Sequence, residues 1–587
     1  MQYIIRCMLI TSSLFITRNG IAQQKDLQQL FENYYRESLK LQPLDATFLG
    51  YHEYDDQLAN DISAPYIAEV SRFDEKYLRS LSSFDKEQLT PADRISVDVL
   101  KKILTRDLES RKLHLEYLPL NHFNSIPLFI GQLGSGSSAQ PFKTVQDYRN
   151  WIKRIAAFKI WAATAILNMK KGAEVGTVLP KVLVMRIIPQ MEALGKDDSL
   201  NAFYTPLKTL PAEFTSVQKQ EVSAELGKAI REQLLPAYKH LADYLKNEYL
   251  AQATDSSGLS GITGGAAMYR YYVKYYTTTN SSPEEIYQKG LDEVSRIRAK
   301  MELIKTRTGF SGTLNEFFAF LKSDPQFMPF KTPEQVLQAY RDVYAKIKPH
   351  LPELFSVFPK ADFEIRRVES FREAGQNGPS YTLGSIDGKK PGVFYVPVPD
   401  ATKISTISPA LEATFIHEAI PGHHFQISLQ QENTTLPTFR RSISFNAFTE
   451  GWALYIESLG SRLGCYTDPY QEMGALNNEM MRAIRLVTDV GLHTGKMTRE
   501  GSIAYIMANL PTSEADATSA TERYMAIPGQ ALSYKTGELE ILRLRAMCEK
   551  RLGKKFSIIK FHDALLAQGD MPLTVLEKYI NDWCARQ

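Results

Sequence analysis

Apolar side chains recur at three- and four-residue intervals through most of this chain, and that period admits helices and little else. In Ser223–Ala251, SAELGKAIREQLLPAYKHLADYLKNEYLA, residues Leu226, Ile230, Leu234, Tyr238, Leu241 and Leu245 form one stripe with charges between them. Ser282–Arg307 behaves alike. It opens on a small capping residue, a proline in the first turn, and two acids near the positive helix end. The period predicts a mainly α chain. At 587 residues it exceeds what one core usually serves, so a large helical domain in two lobes is expected. Gly131–Ala139 (GQLGSGSSA) reads as a flexible insert. Asp255–Ala267 (DSSGLSGITGGAA) reads as a hinge between two halves or as a binding loop, with the chemistry expected in about 268–587.

Strand-like sequence is scarce. Tyr381–Pro399, YTLGSIDGKKPGVFYVPVP, places the turn-rich Asp387–Gly392 between two short β-prone runs. Pro397 and Pro399 mark the second run as an edge strand, because proline cannot donate to a ladder. Such an edge either pairs with an extended peptide or belongs to a small hairpin that covers the core.

The chain opens MQYIIRCMLITSSLFITRNGIAQQ, in which Arg6 precedes an apolar run from Cys7 to Thr17. Gly20 and Ala22 suit cleavage before Gln23, so residues 1–22 are expected to be an export signal and 23–587 a single mature domain, exported to the periplasm. The alternative is an amphipathic first helix that stays on the protein. Cys7, at the start of the apolar run, is poorly placed for lipid attachment. No later stretch reaches about 18 uninterrupted apolar residues, so no stable membrane insertion is expected once the signal is gone. A net charge of +3 without basic runs argues against nucleic acid as a partner. Cys465, Cys548 and Cys584 allow at most one disulfide and contain no C-x-x-C zinc pair.

Three of the ten histidines fall within Thr414–Gln430, TFIHEAIPGHHFQISLQ. His417 and Glu418 begin the metalloprotease pattern H-E-x-x-H, but Pro421 stands where the second histidine belongs. On an unbroken helix, His423 would lie roughly 120° around from His417, and His424 about 10 Å further along the axis. Neither could share with His417 a zinc ion that needs nitrogens at about 2.0–2.1 Å. Pro421-Gly422 changes this. Proline removes a donor and glycine accepts backbone shapes other residues avoid, so the helix can bulge and return either histidine over His417. Glu450, in FTEGWALYIE, lies on a segment with an apolar face. Two histidines and Glu450 make the open three-ligand set of a catalytic Zn2+, and Glu418 then takes a proton from the attacking water. Glu457, seven residues past Glu450, can orient a ligand histidine or join a surface ion pair.

H-E-x-x-P-G-H followed by E-G-W-A-x-Y resembles the bacterial family known as domain of unknown function 885 (DUF885). The resemblance runs through LQPLDATFLGY (Leu41–Tyr51), PFKTVQDYRNW (Pro141–Trp151), PEEIYQKGLDEV (Pro283–Val294) and RYMAIPGQALSYKTG (Arg523–Gly537). The family is in turn similar to mainly helical zinc peptidases such as angiotensin-converting enzyme and neurolysin, which implies a two-lobed fold with a deep groove. On that resemblance His417 and His423 are the paired ligands, Glu450 the third, Glu418 the general base, and His424 a supporting residue. It also implies a late tyrosine and histidine as oxyanion donors. Tyr534 and His493 match best, with Tyr524 as alternate. The implied function is zinc-dependent cleavage of short peptides; the alternatives are a zinc hydrolase of another amide or ester, or a non-catalytic metal-binding protein.

Overall fold

The computed structural model describes residues 23–369, 373, 378–385, 390–407 and 410–587. The expected export signal lies outside them, as do residues 387–389 of the expected turn. The chain is mainly helical and divides into two compact units. One runs to Met268 and includes Pro437–Phe439; the other comprises Tyr269–Leu436 and Arg440–Gln587.

The first unit is built around α1 (Val145–Glu174), whose start is closed reciprocally. The Thr144 hydroxyl accepts from the Asp147 N–H, and the Asp147 carboxylate accepts from the Thr144 N–H. Tyr148, Trp151, Ile155, Phe158 and Ala162 keep helical spacing and are buried together with Tyr238 and Leu241. Full burial of each large side chain here contributes about 1.5–3 kcal/mol. The segment around Ser223–Ala251 is helical as its period requires, but not uniformly. It begins at Ser216 and contains two π turns, Ile230–Leu234 and Leu245–Tyr249. The first lies just before Pro236, whose missing N–H and bulky ring an ordinary α turn accommodates poorly. Gly131–Gly134 is not flexible linker, because it completes the helix Ile126–Gly134, in which Ile130 and Leu133 are fully buried. Apolar burial there outweighs the low helix propensity of glycine.

In the second unit, α2 (Pro283–Arg307) starts at Ser282 with a reciprocal Ser282–Glu285 cap. Three strands follow: β1 (Phe363–Arg367), β2 (Ser380–Thr382) and β3 (Gly392–Val396). They form a sheet of order β1-β3-β2, parallel between β1 and β3 and antiparallel between β2 and β3. The second β-prone run is therefore central rather than an edge. The strand ends at Val396, so Pro397 and Pro399 lie beyond the ladder and remove no bond from it. After the sheet come α3 (Leu411–Glu418), α4 (His423–Glu432), α5 (Asn446–Glu457), α6 (Pro469–Thr494) and α7 (Ser533–Leu552). Phe415 of α3 meets Phe394 of β3 edge-on, with centroids 5.8 Å apart, which seats α3 on the sheet. Helices α5 and α7 cross at a pair of glycines, where a Cβ on Gly451 would stand 2.5 Å from the Gly537 Cα. Among the described residues no helix is long and apolar enough to cross a membrane, and Cys465, Cys548 and Cys584 are buried free thiols.

Candidate metal centre

The Pro-Gly dipeptide breaks the helix outright instead of bulging it. Helix α3 stops at Glu418, α4 begins at His423, and Gly422 folds back onto the last turn of α3. A Cβ on Gly422 would lie 1.9 Å from the His417 carbonyl oxygen, so only glycine fits there. The indole Nε1 of Trp452, on α5, donates to the Pro421 carbonyl at 2.9 Å. The break is thus tied to the helix that carries Glu450.

The fold brings His417, His423 and Glu450 together, with one ligand atom from each lying within 4.8 Å of the others. Glu450 Oε2 stands 3.4 Å from His417 Nε2 and 3.5 Å from His423 Nε2. These separations are long for hydrogen bonds. They match the edges of a tetrahedron around zinc, since two ligands at about 2.0–2.1 Å sit about 3.3–3.5 Å apart. Glu450 Oε2 is buried without a hydrogen-bond partner, a condition a cation would relieve. Two imidazoles and one carboxylate suit a borderline divalent ion. Burial lowers the His417 pKa, yet Glu450, Glu457 and Glu418 outweigh it and raise the value to about 9. Glu450 is held well below the ordinary carboxylate range by the two histidines, against its burial. The pocket therefore favours positive charge, as a proton or as a metal.

Around the trio, His417 Nδ1 meets Glu457 Oε1 at 2.7 Å, and Glu457 is 5% exposed, not on the surface. That carboxylate fixes the ring so that Nε2 faces Glu450. Glu457→Gln is expected to weaken metal binding about 10–100-fold without unfolding the protein, as read by competition with a chromophoric chelator. His424 points elsewhere. Its Nε2–H donates to the Ala361 carbonyl at 3.2 Å, so Nδ1 accepts from the Tyr381 hydroxyl at 2.9 Å. Burial lowers its pKa. It ties α4 to the sheet. Glu418 is half-buried outside the trio, with Oε2 accepting from the Tyr381 N–H at 3.0 Å. Because Tyr381 pairs with Phe394 on its other side, the outer edge of β2 faces Glu418.

The late residues divide. His493 is 1% exposed, stacks on Tyr269, and donates from Nε2 to the Tyr524 carbonyl at 3.0 Å. Burial lowers its pKa to about 4, leaving a neutral ring whose N–H is already used. It holds the Tyr524 main chain. Tyr534, at the start of α7, lies three residues before Gly537 and so within one turn of the crossing beside Glu450. The guanidinium of Arg485, on α6, lies 4.3 Å above the Tyr534 ring centre, and Tyr524 is beside it.

Three positioning residues have roles that the letters do not spell out. Asp570 accepts from the Phe445 N–H and the Thr449 hydroxyl and so caps α5 from far along the chain. Asp489 accepts from the Tyr269 hydroxyl and the Gly529 N–H, holding the turn that leads into α7. Arg485 is the third. Helical spacing marks it as inward-facing, but nothing in the letters tells what it faces.

Among curated proteins none is similar enough to count as a relative. Solved structures share the fold. A candidate lipoprotein from Colwellia psychrerythraea superposes with a TM-score of 0.85 at 27% identity, over 96% of this chain and 100% of its own. A candidate lipoprotein of unknown function from Shewanella oneidensis gives a TM-score of 0.73 at 17% identity, over 94% and 99%. The sequence model described as "Bacterial protein of unknown function (DUF885)" matches residues 43–580. The chain belongs to the DUF885 family.

Proposed function

We propose that this protein is a zinc-dependent hydrolase that cleaves peptide bonds in short peptides. The observation that carries the reading is the convergence of His417 Nε2, His423 Nε2 and an otherwise unpartnered Glu450 oxygen at separations suited to a tetrahedral ion. Zinc, when bound, supplies a Lewis acid that polarises a carbonyl and acidifies water. The chain's own residues do the rest. Glu418 Oε2 is anchored by the Tyr381 N–H, which leaves the other oxygen to take a proton from the attacking water and pass it to the leaving amine. An extended peptide laid along the outer edge of β2 would run past Glu418. The donor for charge developing on the attacked carbonyl would be the hydroxyl of Tyr534, a residue within one turn of the α5–α7 crossing.

The likeness to two-lobed helical peptidases belongs to this proposal, and with it the preference for short peptides over folded proteins. Export belongs here too. It is supported by the Arg6–Ala22 pattern and by the description of the Colwellia neighbour as a candidate lipoprotein, although Cys7 is not placed for lipid attachment here. Natively purified protein is expected to carry close to one zinc per chain by elemental analysis and to cleave members of a short-peptide library. A chelator should abolish cleavage and added zinc restore it. Protein that carries no zinc, and whose behaviour a chelator leaves unchanged, would sink the proposal.

A further inference from the structure

Arg485 is 8% exposed, yet its Nε and Nη1 have no hydrogen-bond partner, and no carboxylate among the described residues forms an ion pair with it. Two other buried cations are answered more fully. Arg154 donates to Gln57, Gln140, Thr47 and Tyr54, and Lys535 is ringed by Glu293, Glu479 and Glu538. A fixed interior charge without a counter-charge is costly, and arginine cannot escape the cost by losing its proton. The guanidinium is also held in place. It stacks on the Tyr534 ring at 4.3 Å, Tyr524 is beside it, and the Glu450 carboxylate acts on its charge. If Glu450 is committed to a metal, its charge is no longer available to Arg485, and an anion must come from outside the protein.

We propose that Arg485 is the subsite for a carboxylate of the substrate. Building on the peptidase reading, this makes the preferred substrates peptides that carry a free carboxylate close to the bond being cut. A planar fork of N–H donors matches a carboxylate's two oxygens. An oxyanion fits less well, because it exists only during the reaction and would leave the cation unanswered for the rest of the cycle.

The first test needs no turnover. Binding of N-acetyl-phenylalanine and of its amide is measured by calorimetry on the full chain, zinc-loaded and metal-stripped. The acid should bind about tenfold tighter or better in both states, the scale of a charge-assisted pair. The metal-stripped arm removes direct carboxylate–metal contact as a cause. In Arg485→Gln the metal-stripped preference should fall to about twofold or less, and Arg485→Lys, which keeps the charge but not the fork, should retain part of it. Equal binding of acid and amide by the metal-stripped parent, or no binding of the acid, overturns the proposal. So does a preference that survives in Arg485→Gln.

Turnover then identifies the source of the carboxylate. If it is the chain terminus, KM should rise on amidation and should rise in Arg485→Gln for free-acid peptides, with kcat less affected. If it is a side chain, amidated peptides with Asp or Glu near the cut should be the better substrates. Cleavage of no peptide at all, alongside an intact acid preference, would remove the peptidase reading and leave the subsite standing.

Discussion

Glu418→Gln protein is expected to bind its full complement of zinc and to lose a factor on the order of 10²–10⁴ in kcat. The expectation follows from where Glu418 sits. It is outside the His417–His423–Glu450 trio, and one of its oxygens accepts from the Tyr381 N–H. A glutamine can keep that bond through its amide oxygen, so the side chain should hold its place. It cannot take a proton from water. Zinc content by elemental analysis and initial rates on a cleaved peptide, measured on the same preparation, separate the two roles. Turnover near that of the parent protein would exclude Glu418 as the base. Loss of zinc along with activity would make it part of the metal's support instead.

Gly422→Ala should damage the proposed metal centre without altering any side chain in it. The added methyl carbon would fall 1.9 Å from the His417 carbonyl oxygen and 2.3 Å from that of Ile416. Both are main-chain atoms, so no rotamer change relieves the clash. The α3–α4 break would have to open, carrying the His423 ring away from His417, whose centroid now lies 4.7 Å from it. Overpacking of this kind costs about 1–3 kcal/mol, and a backbone obstacle belongs at the upper end. Zinc affinity should fall at least about tenfold, since each 1.4 kcal/mol of misplacement is a factor of ten. A metal titration and a denaturant midpoint check both parts. Unchanged affinity would show that the spacing of the two histidines does not depend on this contact.

Trp452 and Gly451 explain why Glu450 stands in the sequence E-G-W. The glutamate supplies the oxygen, the glycine permits the close crossing with Gly537, and the indole holds the Pro421 carbonyl. Three adjacent residues thus place one carboxylate against a helix break that lies far off in sequence.

Local features were legible in the letters. The 3.6-residue period marked the helices, and Ser282 with Pro283 and Glu285 marked a start that the structure places at that point. β1 does not stand out in the letters, although its alternation of half-buried Phe363, Ile365 and Arg367 with exposed Glu364 and Arg366 has the period of a strand. Five residues with three charges carry too little apolar signal to stand out. The prolines after β3 misled because their effect depends on the residue at which pairing stops, and the partner strand sets that residue.

The helical class, the donor types available for a metal, and a distortion of the helix at Pro421-Gly422 follow from the letters, because these depend on side-chain chemistry and on backbone freedom within a few residues; that the distortion is a full break does not. Packing alone sets His423 facing His417 while His424 turns to Tyr381 and Ala361, commits the His493 N–H to Tyr524, and lays Arg485 on Tyr534. Those outcomes depend on which way a side chain points after a helix break and on which helix it then meets, and both are fixed by packing between elements far apart in the chain.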